Sequence, residues 1–246
     1  MTTWLTLLAA VYGALTAALL PRARYRLAAP EGAPPRTSCP DGHPLGPAPR
    51  SWLGRARCTE CGPASSYGPG TARFAVCGAA ICAALAAAVG PRPELAAWLL
   101  ATPLCLLLAS VDRETRRLPD VLTLPLALLT ATALACAALF PRAGGDWRTA
   151  LLGGAALALA YGAIHFANPA ALGYGDVKLA LALGVALGWY GWGALLLGAL
   201  LGWLPAGAWG AVLLLTRRRS RHADIALGPS LLCGALATVL LHGLAV

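Results

Sequence analysis

Long apolar runs, separated by short polar segments, dominate the pattern of residues along the chain. Runs of about 18 or more apolar residues are long enough to cross a membrane as a helix. Tight breaking segments, such as "GPRP" at 90–93 and "PRAGGDW" at 141–147, separate several of these runs. The pattern predicts an all-α, polytopic membrane helical bundle with about eight spans, at residues 3–20, 74–89, 95–111, 121–140, 150–166, 177–189, 192–216 and 225–246.

Charged residues are scarce and are placed asymmetrically. The 246 residues are 58% hydrophobic and 12% charged, with a net charge of +9. If the N-terminus faces outward, 16 of the 19 Lys and Arg residues fall on the cytoplasmic side, as the positive-inside rule expects. The basic excess is therefore a topology signal of a multi-pass protein in a lipid bilayer, and we expect the inner (plasma) membrane as its location. It argues against a nucleic-acid partner.

A shift in composition divides the chain into three parts. Residues 1–20 are predicted to form the first transmembrane helix, and residues 74–246 the membrane-embedded region. Between them, residues 21–73 are rich in Pro, Gly and Arg and are expected to form a small cytoplasmic loop domain. Five of the eight cysteines lie in predicted spans, where they are expected to act as small packing residues.

The cytoplasmic loop contains a set of metal-ligating residue types. Cys39, His43, Cys58 and Cys61 follow the pattern C-x3-H-x14-C-x2-C. Three thiolates and one imidazole complete a tetrahedral zinc site, and a loop with so little apolar core needs a metal in order to fold. The sequence predicts structural zinc at these four residues. The alternative is a disordered basic loop with incidental cysteines.

Two acidic residues stand at the ends of predicted spans. Asp112 ends the third span in "LLLASVDRETRRLPD", and Asp176 opens the sixth in "GYGDVK". Ionisable groups at membrane depth are costly and mark functional sites. Both fall on the cytoplasmic side of a topology that was drawn from basic residues alone. Two neighbouring carboxylates can share one proton, so that one activates water while the other protonates a scissile carbonyl.

The residues before Asp176 admit two interpretations. Gly173 and Gly175 flank Tyr174, and glycine permits a close approach of the backbone, which suits the presentation of an extended substrate. The alternative is a flexible turn in which an aspartate caps the following helix.

At this point the sequence resembles a known family. "GYGDVKLALALG" is similar to the GxGD signature of the type IV prepilin peptidases, which are membrane-embedded aspartic proteases. "VDRETRRLPDVLTLPL" resembles the family's first-aspartate segment, and "ALGPSLLCGALA" its Gly-Pro in the last span. The two aspartate motifs lie 64 residues apart, and the eight-span layout with a loop after the first span also matches.

The resemblance implies roles for individual residues. Asp112 and Asp176 would form the catalytic dyad, Gly173 and Gly175 would shape the active-site loop, and Lys178 would act electrostatically beside them. The substrates implied are prepilins or pseudopilins in the membrane. They would be cut after a glycine, on the cytoplasmic side of their apolar segment, with removal of a basic leader.

Many members of the family also methylate the new N-terminus with S-adenosylmethionine, and that cofactor is implied only where this activity is kept. Two departures count against it here. "CPDGH" replaces the first of the family's two CxxC pairs, and little of the usual pattern after the first span remains.

Two other classes of protein share part of this pattern. A transporter or channel component would use Asp112 and Asp176 as an ion or proton relay, but this class predicts a repeat and acids spread along a pore. A presenilin-like GxGD protease shares the dyad, although the cysteine-containing loop and the Leu-Pro-Asp segment favour the prepilin peptidases.

Overall fold

The computed structural model describes residues 2–30, 32–49, 51–62, 65–169, 172–215 and 226–245. Over these ranges the chain forms nine α-helices and no strand longer than an isolated bridge. The helices are α1 (Thr2–Ala18), α2 (Leu20–Leu27), α3 (Thr71–Val89), α4 (Glu94–Thr115), α5 (Asp120–Ala137), α6 (Trp147–Ala167), α7 (Tyr174–Gly188), α8 (Trp192–Leu215) and α9 (Leu227–Ala245).

Each predicted span corresponds to one helix, and α2 is an additional helix of eight residues. Among the described helices, α3, α4, α5, α6 and α9 are long and apolar enough to cross a membrane. The pair of α1 and α2, bent by 42°, makes a sixth if it is counted as one span. The predicted bounds at Thr216, Ile225 and Val246 lie outside the described residues, as do the arginines 50, 217–219 and 221.

The short helix α7 is the centre of the bundle. It packs against α5, α6, α8 and α9, and Leu179, Ala180 and Leu187 are almost fully buried. With 15 residues it is about 22 Å long, less than the roughly 30 Å of a bilayer core. A helix that neighbouring helices enclose does not need the length of a lipid-exposed span. The first turn of this central helix carries Asp176.

Glycine allows α6 and α7 to approach closely. A Cβ atom added to Gly153 would lie 2.8 Å from the backbone oxygen of Gly184, and one added to Gly184 would lie 2.8 Å from the Cα atom of Gly154. Small residues at such crossings let helix backbones touch, which is the usual basis of helix association in membranes. The contact fixes the position of α7 and therefore of its first turn.

A third acid, which the sequence analysis did not single out, is fully buried at the start of α4. The Glu94 carboxylate accepts hydrogen bonds from the Gly144 N–H at 3.2 and 3.3 Å, and Arg92 Nε lies 3.7 Å from Glu94 Oε1. The Arg92 guanidinium also donates to the backbone oxygen of Gly243 at 2.7 Å. These contacts join the helix ends opposite Asp112, so Glu94 has a structural explanation.

Candidate active site and metal cluster

Asp112 lies in the last turn of α4 and is only 4% exposed. Its backbone oxygen accepts a hydrogen bond from the Arg116 N–H at 2.7 Å, and Arg116 ends the helix in the left-handed conformation, with φ of 54°. Its carboxylate oxygen Oδ2 accepts a hydrogen bond from the Gly228 N–H, at the start of α9, at 3.1 Å. The carboxylate is therefore held between the end of α4 and the beginning of α9.

Asp176 lies in the first turn of α7, whose N-cap is Gly173. A Cβ atom added to Gly173 would lie 3.3 Å from Asp176 Oδ2, and one added to Gly175 would lie 2.9 Å from Leu118 Cβ. Leu118 belongs to the segment between α4 and α5, so that segment lies directly against the start of α7. The absence of a side chain at Gly175 lets the start of α7 lie against the segment between α4 and α5.

Both aspartates line one cavity of about 910 Å³. Asp112 reaches it from the last turn of α4 and Asp176 from the first turn of α7. Gly173, Gly175 and Lys178, which the sequence analysis also selected, line the same cavity. The cavity opens at the end of the bundle where α4 ends and α5, α7 and α9 begin, which we call the carboxylate end.

Lys178 connects the first turns of α5 and α7. Its Nζ atom lies 2.6 Å from Asp120 Oδ1 and 4.6 Å from the centre of the Tyr174 ring. Asp120 is the first residue of α5, where a carboxylate also interacts favourably with the helix dipole. The lysine of the "GYGDVK" motif therefore pairs with the acid of the Leu-Pro-Asp segment and not with Asp112 or Asp176.

The Lys178–Asp120 pair is expected to contribute modestly to stability. The Asp120 side chain is 60% exposed, so breaking the pair should lower the free energy of unfolding by about 0.2–1 kcal/mol. A double-mutant cycle with Lys178→Met and Asp120→Asn, measured by unfolding in detergent, tests the pair. The double variant should lose less free energy of unfolding than the sum of the losses in the two single variants. Strictly additive losses would show that the pair contributes nothing.

Several residues around the cavity were not predicted to belong to the site. Gly228 had been noted for its Gly-Pro motif, but not as a hydrogen-bond donor to Asp112. His165 Nδ1 donates to the backbone oxygen of Leu172 at 2.8 Å, which holds the segment before α7. The end of α2 and the residues just after it also contribute to the lining, through Leu27, Ala29, Pro30, Gly32, Ala33 and Pro35. No sequence signal distinguishes such neighbours, because they come from segments far apart in the chain.

Cys39, His43, Cys58 and Cys61 form one cluster in the cysteine loop (residues 28–70), with ligand atoms all within 4.8 Å of one another. The sulfurs of Cys39 and Cys61 are 3.6 Å apart. His43 Nδ1 lies 3.6, 3.8 and 3.0 Å from the sulfurs of Cys39, Cys58 and Cys61. The structure therefore brings together all four predicted ligands.

The cluster has the dimensions of a tetrahedral zinc site. Zn–S bonds of about 2.3 Å and Zn–N bonds of about 2.0–2.1 Å place two sulfurs about 3.8 Å apart, and sulfur and nitrogen about 3.6 Å apart. The other ring nitrogen, His43 Nε2, lies 3.7 Å from Glu60 Oε2, and a carboxylate beside the distal nitrogen is common for metal-bound histidines. These residues fit a metal ion of this kind.

Hydrogen bonds within the loop favour thiolate at one ligand and oppose it at another. The Cys61 N–H donates to the sulfur of Cys58 and lowers the pKa of the Cys58 thiol to about 7. A hydrogen bond with Asp41 raises the pKa of the Cys61 thiol. A bound divalent cation would outweigh this second effect, because a coordinating thiol is deprotonated outright.

Comparison with known proteins identifies the family. Residues 99–216 match the type IV leader peptidase family. The prepilin leader peptidase/N-methyltransferase of Aeromonas hydrophila is 32% identical over 213 residues, which cover 80% of this chain and 68% of that protein. The chain belongs to the type IV leader peptidase family. A relative of the same name from Klebsiella pneumoniae is 36% identical over 106 residues, 41% of this chain and 44% of that protein.

Membership in the type IV leader peptidase family confirms the resemblance and the predicted enzyme class, which is a peptidase. The apolar helices agree with an integral membrane protein. The comparisons do not favour a transporter or channel. No solved structure matches the chain significantly. The family match includes Asp112 and Asp176 but ends before Gly228. The hydrogen bond to Asp112 therefore comes from a helix outside the matched region.

Proposed function

We propose that this leader peptidase removes the basic leader of type IV prepilins or pseudopilins, with Asp112 and Asp176 as its catalytic residues. The observation that carries the proposal is that these two acids, 64 residues apart in the chain, line one cavity. The Gly228 N–H is one partner of Asp112, but a contact between one backbone amide and one carboxylate does not explain why a second acid lines the same cavity.

Two adjacent carboxylates supply both halves of acid–base hydrolysis. Because like charges repel, one member of the pair holds a proton while the other is ionised. The ionised member accepts a proton from water as the water attacks the scissile carbonyl carbon, and the neutral member protonates the carbonyl oxygen. The Gly228 N–H, donating to Asp112 Oδ2, orients the Asp112 carboxylate for this exchange.

Gly228→Ala tests that orientation. A Cβ atom at this position would lie 2.7 Å from Asp112 Oδ2, so the carboxylate must move. Small displacements of catalytic groups can lower rates by up to about 10²-fold, and we expect a fall in cleavage rate without loss of membrane insertion. Gly193→Ala is the matched control, because nothing lies within 4 Å of its added Cβ. Equal rates for the two variants would contradict the role of Gly228.

We propose structural zinc at Cys39, His43, Cys58 and Cys61. The donor set and the distances support this choice, since three sulfurs and one nitrogen leave no open coordination position for catalysis. The metal would hold the cysteine loop, of which Ala29, Pro30, Gly32, Ala33 and Pro35 line the cavity beside the aspartates. Its role is thus to keep one wall of the active site in place.

N-methylation is proposed as a second activity, because both relatives are named as N-methyltransferases. No site for S-adenosylmethionine can be assigned among the residues that the structure describes. The replacement of the family's first CxxC pair by "CPDGH" counts against this second activity. It does not affect the peptidase proposal.

The proposed location is the inner membrane, with the N-terminus outside and the carboxylate end in the cytoplasm. This orientation is supported by the distribution of Lys and Arg, which favours the cytoplasmic side. It also brings the active site to the side on which a basic leader of a prepilin would lie.

The proposal is tested by co-expressing the chain with a prepilin that has a basic leader, a glycine and an apolar helix. Mass spectrometry of the product should find cleavage after the glycine, and the same spectrum reports whether the new amine carries a methyl group. An uncut prepilin beside a chain shown to be inserted in the membrane would refute the peptidase proposal.

A further inference from the structure

A second cavity, of about 480 Å³, lies on the membrane-embedded side of the bundle and is separate from the aspartate cavity. It is a groove lined mainly by α3, α4 and α9, with a few residues of α5 and α7. One face of α4 contributes to the lining, at spacings of three and four from Trp98 through Cys105 and Ala109 to Arg113. Apart from its two arginines, the groove is lined almost entirely by apolar side chains.

The length of the groove matches one leaflet of a bilayer better than a whole bilayer. Along α3 it runs from Arg73 to Leu85 and along α4 from Arg113 to Trp98, which are distances of about 18 and 22 Å. The hydrocarbon core of a bilayer is about 30 Å thick, and one leaflet about half of that. The groove is long enough for an acyl chain, but short for a helix that crosses the membrane.

Positive charge lies at one end of the groove only. Arg73, in the first turn of α3, and Arg113, in the last turns of α4, are exposed and lie at the carboxylate end. They are the only charged residues among the described residues of the lining. Within the described ranges, no hydrogen bond or ion pair occupies either guanidinium.

We propose that this groove binds an anionic glycerophospholipid, with one acyl chain between α3, α4 and α9 and the headgroup phosphate on Arg73 and Arg113. Arginine recognises phosphate oxygens through several N–H donors at once, and each basic residue near a membrane surface adds to the attraction for anionic lipid. The site does not depend on the proposed catalysis, since neither arginine lines the aspartate cavity.

Charge favours a lipid over the apolar helix of a prepilin as the occupant. A prepilin carries a basic leader next to its apolar segment, and that leader would lie against two arginines if the helix occupied this groove. An anionic headgroup with an apolar tail has the complementary arrangement, negative at the arginine end and apolar along the groove.

The test is native mass spectrometry of the full chain in detergent, titrated with phosphatidylglycerol or with phosphatidylcholine of the same chain length. We expect tighter binding of phosphatidylglycerol. The variant Arg73→Gln/Arg113→Gln should bind it about thirtyfold more weakly, and either single variant about fivefold. The matched control is Arg142→Gln/Arg148→Gln, which removes two exposed arginines from the opposite end and should bind as the wild type does.

A second variant separates the groove from simple charge attraction. Ala109→Trp keeps both arginines but fills the groove one turn from Arg113, and it should also lose phosphatidylglycerol. Unchanged binding in Ala109→Trp, or equal losses in both double-arginine variants, would overturn the proposal. Displacement of the lipid by the apolar segment of a prepilin would assign the groove to substrate instead. Arg73→Lys/Arg113→Lys, which should retain partial binding, replaces the glutamine variant if that variant does not fold.

Discussion

Replacing Asp176 by asparagine is expected to lower the rate of prepilin cleavage by about 10²–10⁴-fold, the usual contribution of a general acid or base. Asparagine keeps the size of the side chain but can neither accept the proton of water nor share one with Asp112. The substitution also removes a charge from the cavity, so the fold should persist. Cleavage of a co-expressed prepilin over time, followed by gel mobility, measures the effect.

Asp112→Asn should lower the rate of prepilin cleavage by a similar factor. The double variant should cleave little more slowly than either single variant, because the two carboxylates act as a unit. Asp146→Asn is the control. Asp146 caps α6 by accepting from the Thr149 N–H at 2.8 Å, far in sequence from both motifs. A variant of either proposed catalytic residue that cuts at the wild-type rate would remove that residue from the mechanism.

Replacing Cys61 by serine is expected to abolish zinc binding and to release the cysteine loop. Structural zinc sites contribute about 10–16 kcal/mol of binding free energy, and the described part of this loop contains only two isolated bridges. Zinc content by atomic absorption should fall from one ion per chain to none. Trypsin should then cut faster at Arg55 and Arg57.

Cys77→Ser is the matched control for the loop variant, since Cys77 is an exposed free cysteine on α3, outside the cluster. It should retain zinc and resist trypsin as the wild type does. A wild-type chain purified without chelator that holds no zinc, and takes none up, would contradict the zinc assignment. It would leave the peptidase proposal untouched, because no catalytic step depends on the metal.

The helices were predictable because apolar composition is a direct consequence of a membrane environment, but their ends were not. The third span was predicted to end at 111, whereas α4 continues to Thr115. Hydropathy excludes Arg113 and Glu114, yet Glu114 is paired with Arg24 of α2. Pairing between distant segments lets a helix extend beyond its apolar run, and a single sequence does not reveal such pairs.

The additional helix α2 escaped prediction for a related reason. Its sequence, "LPRARYRL", contains three arginines and no long apolar run. The helix is nevertheless amphipathic, with Leu20, Ala23 and Tyr25 buried, and Arg26 stacks on the Trp52 ring at 4.4 Å. A short helix of this kind depends on the surface on which it packs.

The candidate site was predictable as far as side-chain chemistry identifies it. Asp112 and Asp176 were identifiable because an ionisable group at membrane depth is energetically costly and marks a functional site. The four metal ligands were identifiable by residue type and spacing. The Gly228 N–H did not, because every residue except proline has the same backbone donor. Only the fold shows which of these donors faces a carboxylate.

The hydrogen bond between α9 and Asp112 gives the enzyme a vulnerable point whose donor, Gly228, does not itself line the cavity. Gly228 lies beyond the region that matches the family, residues 99–216, and both aspartates lie within it. A molecule that wedged α9 away from α4 would deprive Asp112 of its donor while leaving the substrate cavity empty. Inhibition of this kind would not compete with the prepilin, however concentrated the prepilin became in the membrane.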